Sequence, residues 1–422
     1  MGMKIQRTLK RLRFAAGLVI GAMVAFPGHS AESTSCVGIG SAPIRWTPGT
    51  YPSGSRILHV GANRDLKLPS DAARLARDGD VVEIDGGTYS DTAFWKQSNL
   101  WIRGVNGRPH MIAPEKLAQD KAIWVLRGRD VIVENVELSG ARVPARNGAG
   151  IRAQGKGLTV RASCFHDNEN GILTSNDTAN WLVVEFSEFG RNGFGDGKSH
   201  NLYVGLVSRF EMRFSYSHGA RQGHLVKSRA ANNLIEYNRL IDDPDGTASY
   251  ELDLPSGGAS LVRGNVIVQS ELSPNQTMVS YAAEKRDRPQ PGRLTMAFNT
   301  LYSLRRNPVF VTNRSAEAAL LVNNVFAGAA GTLVNGPAEN VGSIFVAGSA
   351  AFVDPQRLDF RLAPKSQAID AAEPMAVASE DSDPPRFQPA DWLSGGPRKA
   401  AGRPDVGAFE CCERPQSDKA RR

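Results

Sequence analysis

Eight stretches of the chain share one alternation of apolar and polar positions: VIVENVEL from Val131, LTVRASCF from Leu158, LVVEFSEF from Leu182, FEMRFSYS from Phe210, NLIEYNRL from Asn233, SLVRGNVI from Ser260, LTMAFNTL from Leu294 and ALLVNNVF from Ala319. β-branched and aromatic residues alternate in each, which is the period of a strand. The sixth position reads Val136, Ser163, Ser187, Ser215, Asn238, Asn265, Asn299 and Asn324, and the steps between these are 27, 24, 28, 23, 27, 34 and 25 residues. Irregular spacing around the mid-twenties predicts a stacked solenoid of short strands. A second set of short strands falls between the windows: GILTS at Gly171, NLYVG at Asn201, HLVKS at His224, YELDL at Tyr250, MVSYA at Met278 and VFVTN at Val309. Two or three strands per turn of chain is what a parallel β-helix needs, with coils pairing at about 4.8 Å. The recurring Asn or Ser fits an inward turn position where stacked side chains hydrogen-bond their neighbours.

The ends differ from the repeats. In HVGANRDLKLPSDAARLARDGDVVEIDGGTYS, the pattern predicts a short helix begun by Ser70, with Ala72, Ala73, Leu75 and Ala76 inward. Such a helix can cover the exposed strand edges of the first coil. At the other end, FVDPQRLDFRLAPKSQAIDAA precedes a Pro- and Gly-rich stretch and GRPDVGAFE, and the charged CCERPQSDKARR reads as a disordered tail. The expected organisation is a signal peptide over 1–31, an extension over 32–54, a solenoid over 55–350, a closing segment over 351–410 and a tail over 411–422.

The first 31 residues carry five basic and no acidic residues ahead of the apolar run FAAGLVIGAMVAF, followed by PGHSA. That is the layout of a secretory signal peptide, and the run is short for a bilayer span. A secreted or periplasmic protein without stable membrane insertion is therefore expected. The full chain carries +7, and without this segment about +2 remains. Net charge alone then gives no reason to expect nucleic acid as a partner. Cys36, Cys164, Cys411 and Cys412 have no zinc spacing and are too few to staple a chain of 422 residues, so they read as structural or incidental thiols.

The opening GDVVEIDGGTY, the Asn-bearing coils and the closing DFRLAPKSQAIDAA with PDVGAFE resemble the secreted right-handed parallel β-helix proteins of the pectate-lyase superfamily. The resemblance covers roughly residues 55–410. It implies an all-β, single right-handed parallel β-helix with a short N-terminal capping helix and an irregular C-terminal segment. That fold hosts lyases, hydrolases, epimerases and binding proteins, so the reaction must be argued from residues.

Stacked outward strand faces make a long surface suited to an extended polymer, expected here to be an anionic polysaccharide bound by a monomer. Polar residues concentrate on a few successive coils: His200, Tyr203, His218, Arg221, His224, Lys227, Arg229, Tyr250, Glu251, Asp253, Tyr281 and Glu284. Aligning NLYVG with HLVKS places Lys227 between Val204 and Asp253, and His224 between Asn201 and Tyr250. A lyase acting on a uronate must neutralise the carboxylate, abstract the C5 proton and protonate the leaving oxygen. Lys227, His224, Arg229 and Tyr203 are the candidate catalytic groups. Arg221, His218, Tyr250, Glu251, Asp253, Tyr281 and Glu284 are candidate substrate contacts.

VKSRAANNLIEYN is also similar to a coil of the chondroitinase-B and alginate-lyase group, and that likeness implies Lys227 as the base. ELDLPSGG stands where the group carries an Arg, and ARQGH where it carries calcium-holding acids. Calcium is the cofactor the likeness implies, without its ligands being matched. A uronate C5-epimerase would use nearly the same groups. A glycoside hydrolase would depend on Glu251, Asp253 or Glu284, and a non-catalytic glycan-binding or envelope solenoid would need none of them. The segment QSELSPNQT and the loop EKRDRPQPGR are expected to wall the groove.

Overall fold

A computed structural model describes residues 36–38, 40–284, 290–374, 383–400 and 402–411. The expected signal peptide, most of the tail and Lys285–Pro289 of the expected groove wall lie outside these. Three parallel sheets of twelve, ten and eleven strands wind into a solenoid of about ten turns. The eight repeat windows supply eight strands of the twelve-stranded sheet and, at their ends, strands of the eleven-stranded one, as with Asn232–Glu236 followed by Arg239–Ile241. The intervening strands form the ten-stranded sheet, including Leu202–Val204, His224–Ser228 and Tyr250–Leu254. Each strand pairs with its counterpart one coil away, so Asn232–Glu236 lies between Arg209–Arg213 and Ala259–Arg263. Among the described residues no helix is long and apolar enough to cross a membrane.

The sixth-position column is the inward turn between two sheets. The backbone N–H of Asn238 donates to Asn265 Oδ1 at 2.9 Å, Asn265 to Asn299 at 3.0 Å, and Asn299 to Asn324 at 2.9 Å. The serines continue the same chain upstream, from Val136 through Ser163, Ser187 and Ser215 to Asn238. The residue before each rung turns the backbone left-handed: Phe186, Phe214, Tyr237 and Phe298 have φ of 50°, 48°, 59° and 52°. Three of those aromatics stack coil on coil, with centroids 5.3 Å apart for Phe186–Phe214 and 5.0 Å for Phe214–Tyr237. A second ladder, which the repeat windows do not reveal, runs Asn168–Asn192–Asn201.

The capping helix spans Pro69–Leu75, with Leu68 rather than Ser70 at its N-cap. Asp71 accepts from the backbone N–H groups of Lys67 and Leu68. Ala72 and Ala73 are buried as expected, whereas Leu75 is 55% exposed. Ala76 is buried with them, and at 3.6 residues per turn Leu75 stands about 105° round the helix from the centre of the face that the three alanines share.

Two irregular segments run along the solenoid. From Cys36 the chain descends past the eleven-stranded sheet, bridged to Cys164 by a disulfide. Of the two expected roles, structural or incidental, this pair takes the structural one, as a bridge rather than as thiols. Near its end Tyr51 packs edge-on against Trp101 and donates to Glu83. The closing segment forms the antiparallel pair Phe352–Asp354 with Asp359–Leu362, then folds back to lay Phe387 on Phe214 and Tyr237, and Trp392 on Tyr216.

Candidate active site

On the ten-stranded sheet, register sets one outward row through successive coils. Arg152 pairs with Leu173, Leu173 with Tyr203, Tyr203 with Lys227, Lys227 with Asp253, and Asp253 with Ser280. Lys227 therefore lies beside Tyr203, not Val204, which pairs with Ser228. The pairings of Lys227 with Asp253 and of His224 with Tyr250 are as expected. The one-residue correction matters because it puts a phenol beside the ammonium.

Lys227 Nζ lies 3.2 Å from Asp253 Oδ2 and 3.3 Å from Glu284 Oε1, and 5.7 Å from the centre of the Tyr203 ring. Arg229 shares Glu284, with Nη1 2.6 Å from Oε2, and its Nε lies 3.4 Å from the Tyr203 hydroxyl. Glu284 is held by this pair although its side chain is 42% exposed. Burial opposes its charge, but Arg229 and Lys227 outweigh that and hold its carboxyl below the usual range. Asp253 is almost wholly buried. His224 and Lys227 beside it overcome the cost of burial and keep it ionised below its ordinary value.

Beneath the row lie two imidazoles. His200 and His224 rings are 4.2 Å apart, and the backbone N–H of His224 donates to His200 Nδ1 at 3.0 Å. An accepting Nδ1 requires a neutral ring with its proton on Nε2. Burial and the cations of His224, Lys227 and Arg229 agree, pushing His200 well below its ordinary value. His224 Nδ1 lies 3.2 Å from Asp253 Oδ2 without hydrogen-bond alignment. Burial dominates there too, and its pKa is lowered. Tyr250 meets His224 edge-on, with centroids 4.9 Å apart.

The remaining expected contacts lie elsewhere. His218 is on the eleven-stranded sheet, stacked on Tyr216 and bonded to Glu188 at 3.0 Å. Burial disfavours its charge, yet Asp243 and Glu188 raise its pKa to about 9. Arg221 pairs with Asp167, alongside Arg191. Tyr281 is 1% exposed, and its hydroxyl lies 2.8 Å from Gly258 O and 2.7 Å from Gly292 O. Glu251 is fully buried in the core, and neither carboxyl oxygen has a hydrogen-bond partner among the described residues. His218, Arg221, Tyr281 and Glu251 thus stand apart from the row that holds Lys227. QSELSPNQT is tied inward by Gln269 to Asn275 O and by Ser273 to Ala248 O, away from the groove lining.

An open groove of about 590 Å³ continues the row, lined by Arg146, Arg152, Asn170, Lys198, Tyr203 and neighbours. Arg152 Nε is buried without a hydrogen-bond partner, and burial lowers its pKa. The guanidinium of Arg146 lies over the Phe194 ring. The sequence reading missed both arginines. Extending the second-strand alignment one coil further upstream, to Ala149–Ala153, would have placed Arg152 in the row.

No protein-family profile matches the chain, and no curated protein does. Among solved structures, a crystal structure of pectate lyase Pel9A superposes with a TM-score of 0.60 at 15% identity, over 85% of this chain and 98% of that one. The alginate lyase from Paenibacillus sp. str. FPU-7 superposes with a TM-score of 0.38 at 12% identity, over 66% of this chain and 95% of that one. The first likeness establishes the shared fold, a pectate-lyase-like parallel β-helix.

Proposed function

We propose that the protein is a polysaccharide lyase that cleaves a uronate-containing glycan by β-elimination outside the cytoplasm. One observation carries this reading: Lys227 and Arg229 converge on the single carboxylate of Glu284 beside Tyr203, which lines a groove that also presents Arg152 and Arg146. A uronate carboxylate has the charge and planarity of the Glu284 group and can take its place between the two cations. The carbon bearing that carboxylate also bears the C5 proton, so exchange brings the proton to Lys227. Arg229 then stabilises the negative charge that develops on the carboxylate as the proton leaves.

In the step itself Lys227, once it has released its own proton to solvent, takes the C5 proton, and the electron pair forms the C4–C5 double bond as the C4–O bond breaks. The Tyr203 hydroxyl, half-buried beside Arg229, gives its proton to the departing oxygen. Asp253 aims Lys227, while the buried His200–His224 pair supports Asp253 from beneath. Resemblance of the fold to that of pectate lyase Pel9A supports a polymeric substrate, and the Cys36–Cys164 bridge supports an oxidising compartment.

Purified protein incubated with pectate, alginate and glycosaminoglycans should generate the ultraviolet absorbance of unsaturated uronate on at least one of them. Lys227→Ala should lower kcat by about 10²–10⁴-fold with an unchanged melting curve. Arg229→Ala should raise KM as well. Full activity in Lys227→Ala sinks the assignment. Reducing ends without the unsaturated product would shift the chemistry to hydrolysis by Asp253 and Glu284, and no product from any glycan would leave a binding solenoid.

A further inference from the structure

The eleven-stranded sheet carries a cluster that the proposed reaction does not use. His110 opens the strand His110–Ile112 and pairs in register with Glu137 on the next coil. His166 closes the strand Cys164–His166 one coil further, opposite Ser139. His166 Nε2 lies 3.1 Å from Glu137 Oε1, and His110 Nδ1 lies 3.3 Å from that same oxygen. The three donor atoms all lie within 4.8 Å of one another. Ligands at about 2.0–2.2 Å around a tetrahedral zinc ion stand about 3.4 Å apart. The two separations to Glu137, 3.1 and 3.3 Å, already stand close to that value, and the two nitrogens lie within 4.8 Å of each other.

The outer sides of the two rings make the stronger argument. His110 Nε2 is bonded to Ser139 Oγ at 2.7 Å, and His166 Nδ1 to Asp167 Oδ2 at 2.9 Å. Each imidazole is thus fixed through one nitrogen while the other faces Glu137. A second-shell partner on the far nitrogen is the usual support of a metal-bound histidine, since it sets both tautomer and orientation. The His110 Nδ1 contact with Glu137 is not an aligned hydrogen bond, so in a neutral ring with its proton on Nε2 the Nδ1 lone pair is available. Arg108, a cation that also acts on Glu137, bonds Asn135 instead.

We propose that His110 Nδ1, Glu137 Oε1 and His166 Nε2 form a three-ligand site for a divalent transition-metal ion such as Zn²⁺. Two nitrogens and one carboxylate oxygen suit zinc, cobalt or nickel rather than calcium, which takes six to eight oxygens. The ion ties three successive coils at the level of the Cys36–Cys164 bridge. Cys36 and Cys164 also lie within ligand distance of His166, and the disulfide withholds their sulfurs. The three-ligand site consequently belongs to the oxidised protein.

The test is a Co²⁺ titration of untagged, chelator-stripped protein with the disulfide intact, followed by visible absorbance. One equivalent of Co²⁺ should bind, be displaced by Zn²⁺ and raise the melting temperature. His110→Ala and Glu137→Gln should each weaken binding by at least about tenfold while keeping a cooperative melt. His59→Ala, an exposed histidine beside Glu83, should bind as the parent does. Absence of Co²⁺ binding by the parent, or unchanged affinity in both ligand variants, overturns the site. Since Lys227 and Arg229 lie on another sheet, a result against the metal leaves the lyase reading untouched.

Discussion

A single carboxyl shows what strand alternation fails to convey. In the strand His224–Ser228, Leu225 and Val226 both join the core, so the side chains do not alternate strictly between faces. Met278 and Val279 repeat the pattern two coils on, and Phe310 and Val311 repeat it again. Glu251 sits in that column, between the pairs His224–Tyr250 and Val226–Leu252, where its neighbours carry Leu and Met. Counting it with Asp253 among the candidate substrate contacts followed the period of two and missed the bend. Burial and the nearby Asp242 push its pKa well above the ordinary carboxyl value, and burial raises Asp242 to about 8. A raised folded-state value means that the unfolded chain gives up these protons first. Stability therefore falls as pH rises from the ordinary carboxyl range, near 4, towards 8. Glu251→Met restores the apolar column and removes an unpartnered buried group, and should stabilise by about 2 kcal/mol at pH 7. Urea unfolding at pH 4 and pH 7 checks this: the gain should be larger at the higher pH, and equal gains would count against a buried proton as its source.

At the scale of the element, the repeat windows were legible because the turn that joins two sheets imposes the same demands in every coil. The rung needs a short side chain that accepts from the backbone N–H of the rung before it, so only Asn and Ser recur from Ser163 onward. An Asn rung also donates inward, as Asn265 Nδ2 does to Ile235 O at 2.8 Å. The second ladder through Asn168, Asn192 and Asn201 was not legible, since its rungs are 24 and 9 residues apart and follow no constant spacing. Register on the ten-stranded sheet slipped for a related reason. Only Leu202–Val204 is strand there, three residues, and so short a segment fits either alignment. Asn265→Ala should cost about 2–3 kcal/mol, because the buried N–H of Asn238 and the carbonyl of Ile235 lose their partner together. Asn265→Ser, which keeps an acceptor, should lose less than the alanine variant. Chemical denaturation of both measures the difference, and equal losses would mean that the rung acts by volume alone.

Over the whole molecule, periodicity reports contacts between neighbouring coils and is silent about segments that cross them. The solenoid and its approximate limits follow from the repeats, but nothing in the spacing joins Cys36 to Cys164, 128 residues away. The strap that the bridge begins spans several coils. The backbone N–H of Val37 donates to Glu188, Ile44 pairs with Gly395 of the closing segment, and Arg103 donates to Gly49 O. Val37 and Arg103 make single polar contacts and Ile44 a reciprocal pair of backbone bonds, each too weak alone to hold an irregular chain against its conformational entropy. The disulfide supplies the missing restraint and links the strap to the coils that also carry the proposed metal site. Solenoid stability is a sum of coil and interface terms, so losing the bridge should loosen this end first rather than unfold the protein as one unit. Cys36→Ser with Cys164→Ser should lower the first thermal transition by roughly 5 °C, given that a loop this long is worth about 4–5 kcal/mol in the denatured chain. Proteolysis should then cut within residues 40–52 while the Lys227 coils persist. Calorimetry and mass spectrometry of the fragments distinguish this from an incidental pair of sulfurs, for which neither the transition nor the cleavage pattern would change.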